Sequence, residues 1–115
     1  MRVMMTELGA EDAKLVTLAK AARSRVAAAQ GAAVRDTTGR TYASANVNRA
    51  GLNLSAIELA VGQAYASGAT GLEAVVLCAD TDFTEADREI LKSPNTSVAG
   101  FLIDLAGDVR GQTSF

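Results

Sequence analysis

The chain has no histidine and a single cysteine, Cys78, among its 115 residues. Histidine is the commonest nitrogen ligand for metals and the usual acid–base group near neutral pH. Catalytic zinc sites commonly take three protein ligands from Cys, His and carboxylates. One sulfur and no imidazole exclude a nitrogen/sulfur zinc site built within one chain, and exclude Ser-His-Asp and Cys-His catalysis as well. The same count excludes an internal disulfide and fits a reducing compartment. Tryptophan is absent and aromatic residues make up only 4%. The core must therefore come from Val, Leu, Ile and Ala, which predicts thin layers and close packing. No Lys/Arg block accompanies the net charge of −2, so nucleic-acid binding is not indicated. No apolar run reaches the roughly 18–20 residues of a membrane span. The segment Met1–Glu7 lacks the apolar core of a signal peptide. The expected location is cytoplasmic.

What is present is the balance of a folded domain: 49% hydrophobic residues, 21% charged and one proline. The length suits a single domain over residues 1–115. Residues Ala10 to Ala28 read as a helix, with Leu15, Leu18, Ala19, Ala22 and Val26 on one face. Lys14, Lys20, Arg23 and Arg25 can face solvent, and Glu11 and Asp12 suit the positive end of the helix dipole. Gly31–Arg35 reads as a strand, Asp36-Thr37-Thr38-Gly39 as a turn, and Arg40–Val47 as the returning strand of a hairpin. A loop is expected from Asn48 to Leu52. A second helix follows from about Leu54 to Ala66, with Leu54, Ile57, Val61 and Ala64 on its apolar face, and Ser67–Gly71 ends it.

The continuous apolar run within Leu72–Ala79 predicts a central strand covered on both sides. Thr84 can cap a short third helix that runs to about Lys92 and stops before Ser93-Pro94-Asn95. Val98–Leu105 reads as a second buried strand. Gly107-Asp108 makes a turn, and Val109-Arg110 starts a last edge strand. Strands alternating with helices in the second half imply a crossover and parallel pairing. The expected architecture is α/β with three layers, α/β/α, and a mixed sheet of four or five strands with helices on both faces.

This order, and residues within it, resemble the cytidine deaminase family. Gly31-Ala32-Ala33-Val34 resembles the family's first strand, and Asp36–Tyr42 its hairpin turn. Asn46-Val47-Asn48 is similar to the family's Asn-Val-Glu, the segment that grips a ribose. Gly51-Leu52-Asn53-Leu54-Ser55-Ala56-Ile57 resembles the Gly-Leu-Thr-Leu-Cys-Ala-Glu that opens its catalytic helix, and Leu102–Arg110 its fourth strand and following turn. The resemblance implies a cytidine-deaminase-like domain. In the family, zinc is held by Cys or His at one helix start and two Cys at another. The zinc activates a water, and a glutamate shuttles the proton.

Carried onto this sequence, the first ligand position is Ser55 and the proton-shuttle position is Ile57. The loop before them is one residue short, yet no neighbour is Cys or His under any nearby register. Glu58 stands one residue past the glutamate position, a rotation of roughly 100° on a helix. Where Pro-Cys-x-x-Cys would open the third helix stands Thr84-Glu85-Ala86-Asp87-Arg88, and the alternative register at Pro94–Val98 also lacks cysteine. Asn46 is kept, but Asn48 replaces the ribose-binding Glu, and Ala27-Ala28-Ala29 stand where the family has an aromatic.

The residues of a vestigial pocket are therefore Asn46, Asn48, Ser55, Ile57 and Glu58. Each also has a plain structural role: Asn46 satisfying loop backbone groups, Ser55 as a helix-start hydroxyl, Glu58 in a surface or interface pair, Ile57 as packing that fills the pocket. Glu85 and Asp87 could hold a hard cation, or balance a helix dipole. Cys78 is expected in the core. The function expected is a non-catalytic structural or interaction module with no metal and no cofactor. The alternative is a nucleoside or nucleotide binder with a remodelled pocket, and a carboxylate-based enzyme ranks third. The resemblance also implies a homo-oligomer, dimer or tetramer, with the Ala-rich helices and Gly51–Ser55 near its contacts.

Overall fold

The computed structural model describes residues 8–94 and 96–115. Met1–Glu7, the segment expected to lack a signal-peptide core, lies outside the described residues, as does Asn95 of the expected stop after the third helix.

The first helix, α1 (Ala10–Arg25), buries Leu15, Val16, Ala19 and Ala22. It ends three residues before the expected Ala28, because Ala27 takes a left-handed conformation with φ 50. Ala28 N–H then reaches Arg23 O at 3.1 Å and Ala27 N–H reaches Ser24 O at 3.3 Å. This is a Schellman ending with alanine where glycine is usual. Val26, expected on the buried face, is past that ending and 64% exposed. Lys20 and Arg23, expected in solvent, are half-buried.

Strands β1 (Gly31–Asp36) and β2 (Thr41–Ala45) pair antiparallel with Val34 opposite Tyr42. The turn is organised by Asp36, which is 2% exposed. Its Oδ1 accepts from Thr38 N, Thr38 Oγ1 and Arg40 N at 2.9, 2.7 and 3.0 Å, and its Oδ2 accepts from Tyr42 OH at 3.1 Å. Burial pushes the Asp36 carboxyl up, but these four donors outweigh it and hold it below its ordinary value. The expected return strand to Val47 breaks at Asn46. The expected loop over Asn48–Leu52 is instead a small hairpin of β3 (Val47–Arg49) and β4 (Leu52–Leu54), with Asn48 opposite Asn53. Its two-residue turn needs Gly51, whose φ is 78. Three-residue strands with polar centres carry too little alternation to be seen in a sequence.

The remaining elements are α2 (Ala56–Ala66), β5 (Leu72–Cys78), α3 (Glu85–Leu91), β6 (Ala99–Ile103) and β7 (Val109–Ser114). Leu54, expected on the second helix, belongs to β4, and the last edge strand, β7, starts at Val109 as expected and runs to Ser114. The five-stranded sheet has the order β2-β1-β5-β6-β7. Only β5 and β6 run parallel, joined through α3, and the other neighbours are antiparallel.

Alternation along the strands divides the core. Ala33, Ala74, Val76, Cys78, Phe101 and Ile103 pack against Leu15, Val16 and Ala19 of α1. Ala32, Val34, Val75 and Leu77 face Ile57, Ala60, Val61 and Ala64 of α2 and Leu91 of α3. The three-layer α/β/α arrangement expected from the sequence is thus present, and it is thin as the Ala content predicts. A Cβ on Gly31 would stand 2.2 Å from Ala19 O, so α1 lies directly on β1. Among the described residues no helix is long and apolar enough to cross a membrane.

Candidate functional site

The starts of α2 and α3 converge on one side of the sheet. Each is a capping box, in which a helix-start hydroxyl and a carboxylate three residues on satisfy each other's backbone N–H. Ser55 Oγ accepts from Glu58 N at 3.0 Å, and Glu58 Oε1 accepts from Ser55 N at 2.8 Å. Thr84 Oγ1 accepts from Asp87 N at 3.0 Å, and Asp87 Oδ2 accepts from Thr84 N at 3.1 Å. Both boxes were written in the sequence as Ser55-x-x-Glu58 and Thr84-x-x-Asp87. Glu58 therefore turns back on its own helix, rather than making the surface or interface pair expected of it.

Ser55 Oγ also donates to Asp87 Oδ1 at 3.4 Å, which joins the two boxes. Asp87 is 3% exposed. Its role exceeds dipole compensation, since both carboxylate oxygens hold specific donors. Ile57 is fully buried in the cluster that contains Phe83 and Leu91. Directly beneath the start of α2 the space is filled by side chains.

Asn46 and Asn48 lie at the corner between β2 and β3. Asn46 Oδ1 accepts from Gln30 N at 2.9 Å, and Asn46 N donates to Gln30 O at 3.3 Å. Gln30 Oε1 in turn accepts from Ala56 N at 3.3 Å, so one side chain ties this corner to the start of α2. Asn46 borders two open clefts of about 260 and 370 Å³, both walled by Val26 and Val47, and Asn48 borders the larger. Ser55, Ile57 and Glu58 line neither cleft. The five expected pocket residues thus fall into two groups, joined by Gln30 and by the β3–β4 pairing. Gln30 was missed because nothing in Ala29-Gln30-Gly31 marks it as a bridge.

A further cleft of about 160 Å³ lies beyond α3, between Phe83, Arg88, Leu102 and Arg110. Phe83 meets Phe115 edge-on at 5.1 Å, the Arg88 guanidinium lies 5.8 Å from the Phe115 ring centre, and Arg110 donates to Ala79 O at 3.2 Å.

The metal that the family resemblance implies needs nitrogen or sulfur donors where α2 and α3 begin. The groups there are two hydroxyls and three carboxylates, and all but the exposed Glu85 are engaged in the bonds above. Cys78, expected in mid-strand, is the last residue of β5 and is fully buried on the α1 side, with its thiol pushed up by burial. Among the described residues no group of three or more His, Cys, Asp or Glu side chains could hold a metal ion. The donor set does not fit zinc.

A five-stranded mixed sheet between helices, with the starts of α2 and α3 joined by a hydrogen bond, defines an α/β/α class of domain. The chain belongs to the cytidine deaminase-like family, whose sequence profile matches residues 8–107. It is similar to the crystal structure of cytidine deaminase from Burkholderia pseudomallei, with a TM-score of 0.71 and 29% identity over 88% of this chain and 90% of that one. Cytidine deaminase from Mycobacterium leprae shares the fold, with a TM-score of 0.60 and 22% identity over 88% and 90% of the two chains. No curated protein sequence matches the chain.

Proposed function

We propose that this family member is non-catalytic and serves as a structural or interaction module. One observation carries the reading: Ile57 fills the core where the resemblance puts the proton-shuttling glutamate. The nearest carboxylate, Glu58, is engaged by the backbone of Ser55. A residue at the reacting centre must accept and return a proton, and an alkyl side chain does neither. Neither stretch that could carry the second ligand pair, Thr84–Arg88 or Pro94–Val98, contains a cysteine, which supports the same reading. The module is cytoplasmic and acts as a homo-oligomer, dimer or tetramer. Exposed Val26 and Leu52, near the Ala27–Ala29 segment and the β3–β4 hairpin, support association there. Metal analysis and a cytidine assay of the purified protein test the reading: stoichiometric zinc with uridine formed would overturn it.

A second reading, a nucleoside or nucleotide binder, draws support from the open clefts that Asn46 and Asn48 border. Those clefts, lined by Arg25 and Arg49 as well as by apolar side chains, have no aromatic to stack on a base, and the Asn46 oxygen is already bonded to Gln30. A thermal-shift screen with nucleosides and nucleotides decides between the two, since a stabilising nucleoside would favour the binder.

A further inference from the structure

We propose that Ser55, Thr84 and Asp87 form a hydrogen-bonded brace that stands where a metal would otherwise tie α2 to α3. The inference rests on the non-catalytic reading and says what took the metal's place. A Cys-x-x-Cys pair has its two ligands three residues apart. Read as Pro-Cys-x-x-Cys over Thr84–Arg88, the resemblance puts that pair at Glu85 and Arg88; one residue earlier it falls on Thr84 and Asp87, and the alternative stretch is Pro94–Val98. Contact selects Thr84 and Asp87, because Asp87 reaches Ser55 across 32 residues of chain. Arg88, of the other pair, is directed to Asp82 at 3.7 Å and to the Phe115 ring. Ser55, the first-ligand position on α2, thus meets Asp87, which is held to Thr84 at the right spacing on α3.

The chemistry of the exchange is coherent. Thiolates at this junction would repel one another without a cation. One carboxylate and two hydroxyls need none, because hydroxyls both donate and accept. Asp87 Oδ2 takes the Thr84 N–H and Oδ1 takes the Ser55 O–H. Ser55 Oγ spends its remaining capacity on Glu58 N–H. A carboxylate buried at 3% exposure is tolerable only with such donors around it. The junction is closed on its own terms.

Two measurements on the full chain test the brace. In a double-mutant cycle read by urea unfolding, Ser55→Ala and Asp87→Ala should each lower the folding equilibrium constant about tenfold or more. The double variant should fall short of the product of the two effects by about threefold or more. Multiplicative effects would mean that the two side chains do not act together, and would overturn the proposal. The second measurement titrates a Ser55→Cys/Thr84→Cys/Asp87→Cys variant with Co²⁺. One equivalent should bind with thiolate-to-cobalt charge-transfer absorption, and a folded variant without that band would overturn the placement. If the triple variant does not fold, the cycle alone decides. Cytidine turnover by the unaltered chain would end the non-catalytic reading while leaving the Ser55–Asp87 coupling as measured, so the two failures are distinguishable.

Discussion

The junction of α2 and α3 and the corner at Asn46 belong to the same domain, yet they have opposite characters. At the junction, Ile57 and Asp87 are buried and every capping group has a partner. At the corner, Asn48 and Arg49 are exposed and the clefts are open. On the non-catalytic reading proposed above, the difference is how a fold outlasts a site. A metal junction lies between two helices, so losing its ligands leaves a gap that must be filled by packing or by hydrogen bonds. A sugar-gripping corner lies at a sheet edge, where losing a carboxylate or an aromatic exposes surface without opening the core.

The sharpest way to break this contrast is to restore the lost carboxylate. Ile57→Glu should cost about 3–5 kcal/mol, because it forces an unpartnered carboxyl among Phe83, Leu91 and Val61. Urea unfolding measures it, and a loss under 1 kcal/mol would show the junction to be open. Asp36→Ala comes next, at about 2–4 kcal/mol, since it strands the donors of Thr38, Arg40 and Tyr42. Asp36 is a buried carboxylate outside both regions, so it calibrates what hydrogen-bonded burial is worth in this molecule. Its carboxyl is held below the ordinary 3.8. The stabilisation is complete above that value and is lost as pH falls through the lower folded value. An acid titration of Asp36→Asn should therefore show less stability lost below 3.8 than the parent shows.

At the corner, Asn46→Ala should cost about 1–2 kcal/mol through the unsatisfied Gln30 N–H. Asn48→Ala should stay within about 0.5 kcal/mol, as exposed positions do. Equal losses at the two positions, seen in thermal melts, would erase the division between a tied and a free asparagine. The smallest effect runs the other way. Ala27→Gly should add about 0.5–1 kcal/mol: relief of left-handed strain worth roughly 1–2 kcal/mol exceeds the added flexibility of the unfolded chain, roughly 0.4–1 kcal/mol.

Periodicity and apolar runs were enough to place α1, β1, β5 and β6, because each of these elements buries a face and writes that burial into residue spacing, while α3 was marked by its Thr84 cap. The alternation of strands and helices implied the layers, and the family resemblance agreed with them. What stayed hidden had no periodic signature. The β3–β4 hairpin is too short to alternate, and the left-handed ending of α1 rests on alanine where glycine would have signalled it. The site was legible as a set of missing groups, and Ser55 and Ile57 were rightly placed at a helix start. The role of Glu58 was readable from the capping-box spacing but was assigned to a surface pair instead. The Ser55–Asp87 contact is a long-range one that no local pattern encodes, and Gln30 is an ordinary residue made important by its position.

The central claim is that this junction is complete without a metal. Zinc content and cytidine turnover, measured together on purified protein supplied with zinc and then dialysed, test it most directly. The account predicts far less than one zinc per chain and no uridine. One zinc per chain, with uridine accumulating in proportion to protein, would contradict it.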